Sequence, residues 1–366
     1  MQVAGTRALQ RAGFWAVVRR TTHQVIRHRV VDAAASLTFF ATLTVFPTAL
    51  AVVSAVSILD QGNDTISDII QFLGVIIRPD TASHLETPLR QLTELENPGI
   101  ALGIGLLLTL WSLSGYATAF GRAMNTVYEV EEGRRIWKFR SMMLLVTMLI
   151  MVGGGLAISI LLGTPTIADA FVDHMGWPSW LAVVWNTGKW PVLTVTLVIM
   201  VAVLYHATPN VRAPRLRWVS AGAAFAITTW GLATVGFAVY VETIGSINRA
   251  YGWLGGAILL LVYLYISNFV LVVGGELDAE VIRMRQLLAG IDADAVIRLP
   301  LRDVRRNFAL ARWRDSDIAL AHRVRMAAAG RSGEDLTPEE QHLRDVANQV
   351  RVGADEQPIR TETTPG

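Results

Sequence analysis

The side chains able to do chemistry fall into two acidic sets and a scatter of polar residues beside apolar runs. Glu129, Glu131 and Glu132 form one set, and Glu276, Asp278 and Glu280 the other. Carboxylates do acid–base work, or hydrolyse phosphodiesters when they converge on two metal ions about 4 Å apart. Neither set has histidines spaced to converge with it. The chain also lacks an HExxH pair, a GxSxG elbow with triad partners, and a Walker A loop. It contains no cysteine, which removes thiolate metal sites, disulfides and thiol nucleophiles. No catalytic residue, metal, cofactor or nucleic-acid partner is therefore expected.

What remains is recognition or helix coupling by polar residues, namely Pro47, Arg122, Asn125, Pro209, Asn210, Asn268 and Glu276. Pro47 follows Ser36, Thr38, Thr42 and Thr44 in AAASLTFFATLTVFP. A proline inside a membrane helix frees a carbonyl that hydroxyls or neighbouring helices must satisfy. The kink it makes serves either a moving part or static packing. Arg122 and Asn125 lie just past an apolar run, so Arg122 either meets a lipid phosphate or carboxylate, or anchors the helix end. His206, in LYHATPN, has no carboxylate spaced to partner it within its helix, and Pro209-Asn210 reads as the turn that ends the run. Asn268 lies deep in an apolar stretch and must face the bundle to find a partner. Glu276 is expected to pair with Arg122 or with an arginine of 212–217. The pairs Gly99/Gly103 and Gly252/Gly256, and the run Gly153–Gly155, mark close helix packing.

Those residues are positioned by six charge-free stretches, 33–59, 97–121, 141–168, 190–211, 218–241 and 250–275. Each exceeds the roughly 20 apolar residues that cross a hydrocarbon core of about 30 Å. A soluble helix of that length needs a wet face. The composition agrees, with 52% hydrophobic and 17% charged residues. The chain reads as an all-α polytopic membrane protein. Charge sorts the connecting segments: 1–32, 122–140 and 212–217 hold 14 basic residues, while 60–96, 169–189 and 242–249 hold four. The Lys/Arg excess marks cytoplasmic loops, which places both termini in the cytosol, and the 14 arginines from residue 276 onward agree.

Residues 1–32 read as a basic amphipathic segment on the inner leaflet and carry no removable signal-peptide pattern. There Arg19, Arg20, Arg27 and Arg29 can reach anionic phospholipids, beside Phe14, Trp15, Val18, Val25 and Ile26. The 60–96 loop has isoleucines at helical spacing from Ile66 to Ile77 and an amphipathic piece near 85–95, which suggests outer-loop helices capping the bundle. Residues 276–329 read as a cytoplasmic helical tail. The Gly-, Pro- and acid-rich 330–366 reads as disordered.

AAASLTFFATLTVFP, WSLSGYATAFGRAMNTVYEVEE, LYHATPN and YGWLGGAILLLVYLYISNFVLVVGGELDAE occur in this order across roughly residues 20–285. Together they resemble the YihY/BrkB family of bacterial inner-membrane proteins, once labelled ribonuclease BN. The resemblance includes Pro47, Asn125, Pro209, Asn210, Tyr251, Gly252 and Glu276. It departs at Trp253, where the family has a small residue, and at Gly275, where the family has alanine. It implies a six-helix plasma-membrane protein linked to envelope integrity and to passage of lipid-like precursors. Three readings follow: a transporter or flippase-like protein for a lipid or amphipathic envelope molecule, a non-transporting scaffold, and a ribonuclease, which the short loops disfavour. Membrane lipids are the expected partners, and a homo-oligomer is compatible with the sequence.

Overall fold

The computed structural model describes residues 6–58, 97–162, 172, 175–212, 220–243, 253–329 and 336–355. Helix α1 spans Thr6–Arg27 and α2 spans Val30–Ile58. They are followed by α3 (Pro98–Val127), α4 (Ile136–Leu162), α5 (Trp180–Ala207), α6 (Ala221–Thr243) and α7 (Trp253–Leu288), then α8 (Arg305–Ala329) and α9 (Pro338–Asp355). Among the described residues the only bridge between extended segments joins Val211 to Leu301. Helices α2 to α7 are the six that are long and apolar enough to cross a membrane. The chain divides into two compact units, residues 1–306 and 307–366.

The membrane reading explains the surface of the first unit. Phe46 is 76% exposed and Trp111 83% exposed, and Val152 and Leu232 are nearly as bare. Such side chains on every spanning helix would be a liability in water, whereas lipid tails solvate them.

The helices alternate in direction. The start of α2, the α3–α4 link, the end of α5, the start of α6 and the C-terminal third of α7 therefore meet at one end, which we call proximal. Leu37, Phe120, Met124, Met143, Val146, Tyr205 and Val272 form the shared core there. Phe120 stacks between Tyr116 and Tyr205, with centroids 6.3 and 5.9 Å away. Two backbones touch at the same level: a Cβ on Gly222 of α6 would lie 1.9 Å from the Gly274 carbonyl oxygen of α7. Glycine is needed at that crossing. At the opposite, distal end, Gly105 of α3 meets the Ala51 backbone of α2, while Gly99, Gly103, Gly154 and Gly155 have open space where a Cβ would go. Among the described residues the expected close packing holds at Gly153, against the Met200 side chain, and is also found at Gly105, Gly222, Gly274 and Gly275, not at Gly99 or Gly103, and Gly252 lies outside them.

Several boundaries differ from those read by charge. Helix α5 starts at Trp180, ten residues before the charge-free stretch, because Lys189 lies within it with its ammonium 5.8 Å from the Trp190 ring. A long ammonium side chain of this kind can lean to the interface without ending a helix. Helix α7 does not stop at residue 275. Its 36 residues make a rod of about 54 Å, which overshoots a hydrocarbon core of about 30 Å. Residues 338–355, expected to be disordered, form α9. A reciprocal cap starts that helix: Thr337 Oγ1 accepts the Glu340 N–H, and Glu340 Oε2 accepts the Thr337 N–H. The expected outer-loop helices at 60–96 lie outside the described residues.

Candidate functional site

Helix α5 ends because Pro209 cannot donate a hydrogen bond, and its last carbonyls are left without helical partners. Two guanidinium groups take them. Arg302 donates to the carbonyls of His206 and Ala207 and, at 2.8 Å, to that of Val211. Arg134 Nη2 donates to the Thr208 carbonyl at 2.7 Å. Positive charge at a helix C-terminus also suits the helix dipole.

Arg134 is itself gripped by Glu132, with Nε to Oε1 at 2.7 Å and Nη2 to Oε2 at 2.6 Å. Asn125 donates to the same carboxylate at 2.9 Å. Burial works against the ionised Glu132, but the bonds and charge of Arg134 and the amide of Asn125 outweigh it and hold the carboxyl below its usual range. Asn210 closes the assembly. Its N–H donates to Asn125 Oδ1 at 2.8 Å, and its amide nitrogen donates to the carbonyls of Glu131 and Asp303 at 3.0 and 2.8 Å. Its amide oxygen accepts the Asp303 N–H. A Cβ on Gly133 would lie 2.0 Å from the Asp303 carbonyl oxygen, so the glycine lets the two segments meet.

A second polar assembly joins α1, the α3 terminus and α7. The Glu276 carboxylate is 1% exposed, and its Oε1 lies 2.8 Å from His28 Nδ1. Among the described residues Glu276 Oε2 has no hydrogen-bond partner. One turn on, Glu280 binds Arg20 Nε at 2.8 Å and Arg283 Nε at 3.2 Å. Arg283, fully buried, also reaches Glu129 Oε2 at 3.0 Å and the Ala293 carbonyl at 3.1 Å.

Glu129 occupies a backbone position that usually demands glycine. The Val130 N–H bonds the Asn125 carbonyl and the Glu129 N–H bonds that of Thr126, which is the Schellman ending of a helix. The left-handed residue in it is Glu129, with φ 54°. Helix α7 ends the same way with Gly290 at φ 75°. A side chain in that conformation costs about 1 kcal/mol, and here the carboxylate gains Arg283 in return. Burial pushes the neighbouring Tyr128 hydroxyl above its ordinary range, and Asp278 and Glu276 push it further.

Asp278 makes a third contact. Its Oδ1 accepts the Gly222 N–H at 2.7 Å, while Ser220 Oγ accepts that of Ala223 at 3.0 Å. Two of the unpaired N–H groups that begin α6 are thereby satisfied.

Asn268 faces the bundle interior. It accepts the Tyr116 hydroxyl at 2.8 Å and donates to Thr38 Oγ1 at 3.2 Å and to the Leu264 carbonyl at 2.9 Å. Asn125, Pro209 and Asn210 come together as described. Arg122 does not join them: it is exposed on α3, and His28, not Arg122, meets Glu276, while Arg215 and Arg217 of the 212–217 alternative lie outside the described residues. His28 is brought to α7 by α1, which packs against it. Pro47 sits within α2, and the hydroxyls of Thr38, Thr42 and Thr44 bond the carbonyls of Ala34, Thr38 and Phe40, not that of Leu43, whose usual donor Pro47 removes. Arg20, expected to reach headgroups, is held by Glu280.

Sequence reasoning missed His28, Arg134, Arg283, Arg302 and Asp303. For Arg283 a signal existed, since Glu276, Glu280 and Arg283 recur at helical spacing. His28, Arg302 and Asp303 rest on contacts far apart in sequence, and Arg134 joins its near neighbour Glu132 to the distant Thr208 carbonyl. Among the described residues, no group of three or more His, Cys, Asp or Glu side chains is arranged to hold a metal ion.

Residues 21–295 match the family described as Virulence factor BrkB. The chain is 28% identical over 264 residues to YfkH of Bacillus subtilis, a protein named as ribonuclease-like, with 71% of this chain and 93% of that one covered. It is 28% identical over 269 residues to a UPF0761 membrane protein of Laribacter hongkongensis, covering 70% of this chain and 59% of that one. Another UPF0761 membrane protein, from Idiomarina loihiensis, is 25% identical over 214 residues, 57% of this chain and 71% of its own. No solved structure matches. The chain thus belongs to the BrkB family.

Proposed function

We propose that this protein moves a lipid or amphipathic envelope molecule between leaflets or across the bacterial plasma membrane. In this reading the proximal end and both termini face the cytosol, and the protein is not an enzyme. The observation that carries it is the row of hydroxyls along the α2–α3 contact on the distal side of Pro47. Thr48 and Thr109 face each other at 3.4 Å, and Ser57 lies one turn beyond Ser54. The Ser54 hydroxyl is fully buried and has no partner among the described residues. An unpaired hydroxyl is costly in hydrocarbon, and a headgroup passing between α2 and α3 would pair with Ser54 and compete for Thr48 and Thr109, while Ser57 bonds the Val53 carbonyl. Arg19, Arg27 and Arg29 then approach anionic phospholipids at the cytoplasmic face.

A ribonuclease is disfavoured because Glu129, Glu132, Glu276 and Glu280 are each committed to a guanidinium or an imidazole. A scaffold role is favoured by one feature, the exposed Phe308, Trp313, Ile318 and Val324 of α8. Deleting residues 330–366 tests that reading: loss of the envelope phenotype with lipid movement intact supports the scaffold.

The test of transport is fluorescent-lipid movement between leaflets of reconstituted vesicles. Wild-type protein should speed it, and Ser54→Leu with Thr109→Leu should slow it about tenfold, as expected when two polar contacts to a headgroup are lost. Equal rates in empty and protein-containing vesicles would overturn the proposal.

A further inference from the structure

The α1–α7 contact is built from charges that do not balance without a proton. Its buried carboxylates are Glu129, Glu276 and Glu280; its buried guanidinium is Arg283, with Arg20 half-buried beside it. Among the described residues that leaves three negative charges against two positive. Arg27 reaches Glu129 only at 3.7 Å and is 69% exposed. The remaining group is the His28 imidazole, 9% exposed, with Nδ1 at 2.8 Å from Glu276 and Nε2 at 3.9 Å from Glu129. Both ring nitrogens thus face carboxylates, and a nitrogen facing a carboxylate is best served by carrying a hydrogen.

The remaining groups around the pair leave its charge unmatched. From α1, Gln24 donates to Glu129 at 3.5 Å and Arg20 is taken by Glu280. From the end of α3 come Glu129 and the Tyr128 hydroxyl, which burial keeps protonated. From α7, Asp278 is turned to the start of α6 and Arg283 is shared by Glu280 and Glu129. Among the described residues the buried Glu276 Oε2 remains without a partner, and His28 is the only group bonded to that carboxylate.

The link that α1 hangs from adds a second element. Arg29, next to His28, joins α1 to α2 with φ 52°, a conformation a bulky side chain adopts at a cost. Docking of α1 holds that link in place. Imidazole is the side chain whose charge ordinarily changes between about pH 5 and about pH 8.

We infer that the His28–Glu276 pair, facing Glu129, is a proton-binding site that sets how firmly α1 docks on α7. With a proton bound, an imidazolium balances the three carboxylates and α1 is held. When the proton leaves, a buried carboxylate is unmatched, the contact weakens and the Arg29 link relaxes. This holds whatever the bundle carries.

The experiment is hydrogen exchange at the backbone amides of α1, in the full-length protein in lipid nanodiscs, with labelling times scaled to the intrinsic rate at each pH. Protection should fall about tenfold between about pH 5.5 and about pH 8.5, the shift expected when one charge contact is lost. His28→Arg, which keeps the charge, and Glu276→Gln, which removes the need for it, should both stay protected at either pH. His23→Gln, at an exposed histidine of the same helix, should keep the wild-type slope. A flat wild-type profile, or a slope that survives in both His28→Arg and Glu276→Gln, overturns the site. Should those variants fail to fold, spin labels at Thr22→Cys and Leu288→Cys in the cysteine-free chain give the second readout. The distance must lengthen above the imidazole range, and an unchanged distance overturns the inference.

Discussion

The two ends of the bundle are held by different physics. At the proximal end the helix termini are tied by guanidinium–carboxylate forks, the Asn125–Asn210 pair and a continuous apolar core. At the distal end the described contacts are Gly105 against the Ala51 backbone, the Thr48–Thr109 pair, the Thr234–Tyr263 bond and the Phe237–Tyr263 ring pair, with Val53, Ile160 and Val241 buried beside them. Ion pairs in a membrane protein are costly to bury and costly to break, because each partner left alone is an uncompensated charge. Apolar contacts between spans gain little over contacts with lipid. The proximal end therefore sets geometry, and in the proposed transport the distal end is the part that opens.

Several substitutions would break or sharpen this contrast. Arg283→Ala should do the most damage, since it removes the one fully buried guanidinium among the described residues that joins Glu129 to Glu280; a loss of about 3–5 kcal/mol is expected for a broken buried pair. Thermal unfolding in detergent measures it, and little change would mean the proximal charges are not the clamp. Gly222→Ala should follow, at about 1–3 kcal/mol or more for overpacking, because its Cβ meets the Gly274 carbonyl. Gly103→Ala, at the open distal position, should instead be neutral or stabilising by up to about 1 kcal/mol. If the two alanines behave alike, the ends do not differ in packing. Asn210→Ala should cost about 1–3 kcal/mol, from the backbone groups of Glu131 and Asp303 left unpaired.

The smallest effect concerns Glu132. Its carboxyl is held below the usual range in the folded protein, so its contribution is present above the unfolded value and lost as pH falls through the folded one. Glu132→Gln should flatten the acid side of the stability profile, below about pH 4.5, the ordinary glutamate value. A profile that keeps its wild-type acid slope would remove Glu132 from the clamp.

The six spans were legible because periodic apolar content over 20 or more residues has one physical explanation. Asn268 was legible as an inward-facing residue for a related reason, since an amide in hydrocarbon must find a partner. Helix ends were read less well. Charge marked the boundary at Lys189 and at Glu276, yet a lysine can snorkel and α7 simply continues past the membrane. The α9 cap, Thr337 with Glu340, lies in a stretch that reads as disordered from its composition alone. The pairing of His28 with Glu276 was not readable, because the partners lie 248 residues apart and any of several arginines satisfied the same argument. The glutamate at the left-handed position after α3 was equally hidden, since sequence rules place glycine there.

The most direct test of a fixed proximal end and a separable distal end is a pair of spin-label distances in lipid nanodiscs, made on the cysteine-free chain. Labels at Arg122→Cys and Leu288→Cys report the proximal end, and labels at Ile100→Cys and Ile58→Cys the distal end. The account predicts one narrow distribution for the first pair and a broad or two-peaked one for the second. Equally narrow distributions at both ends, or a broad proximal one, would contradict it.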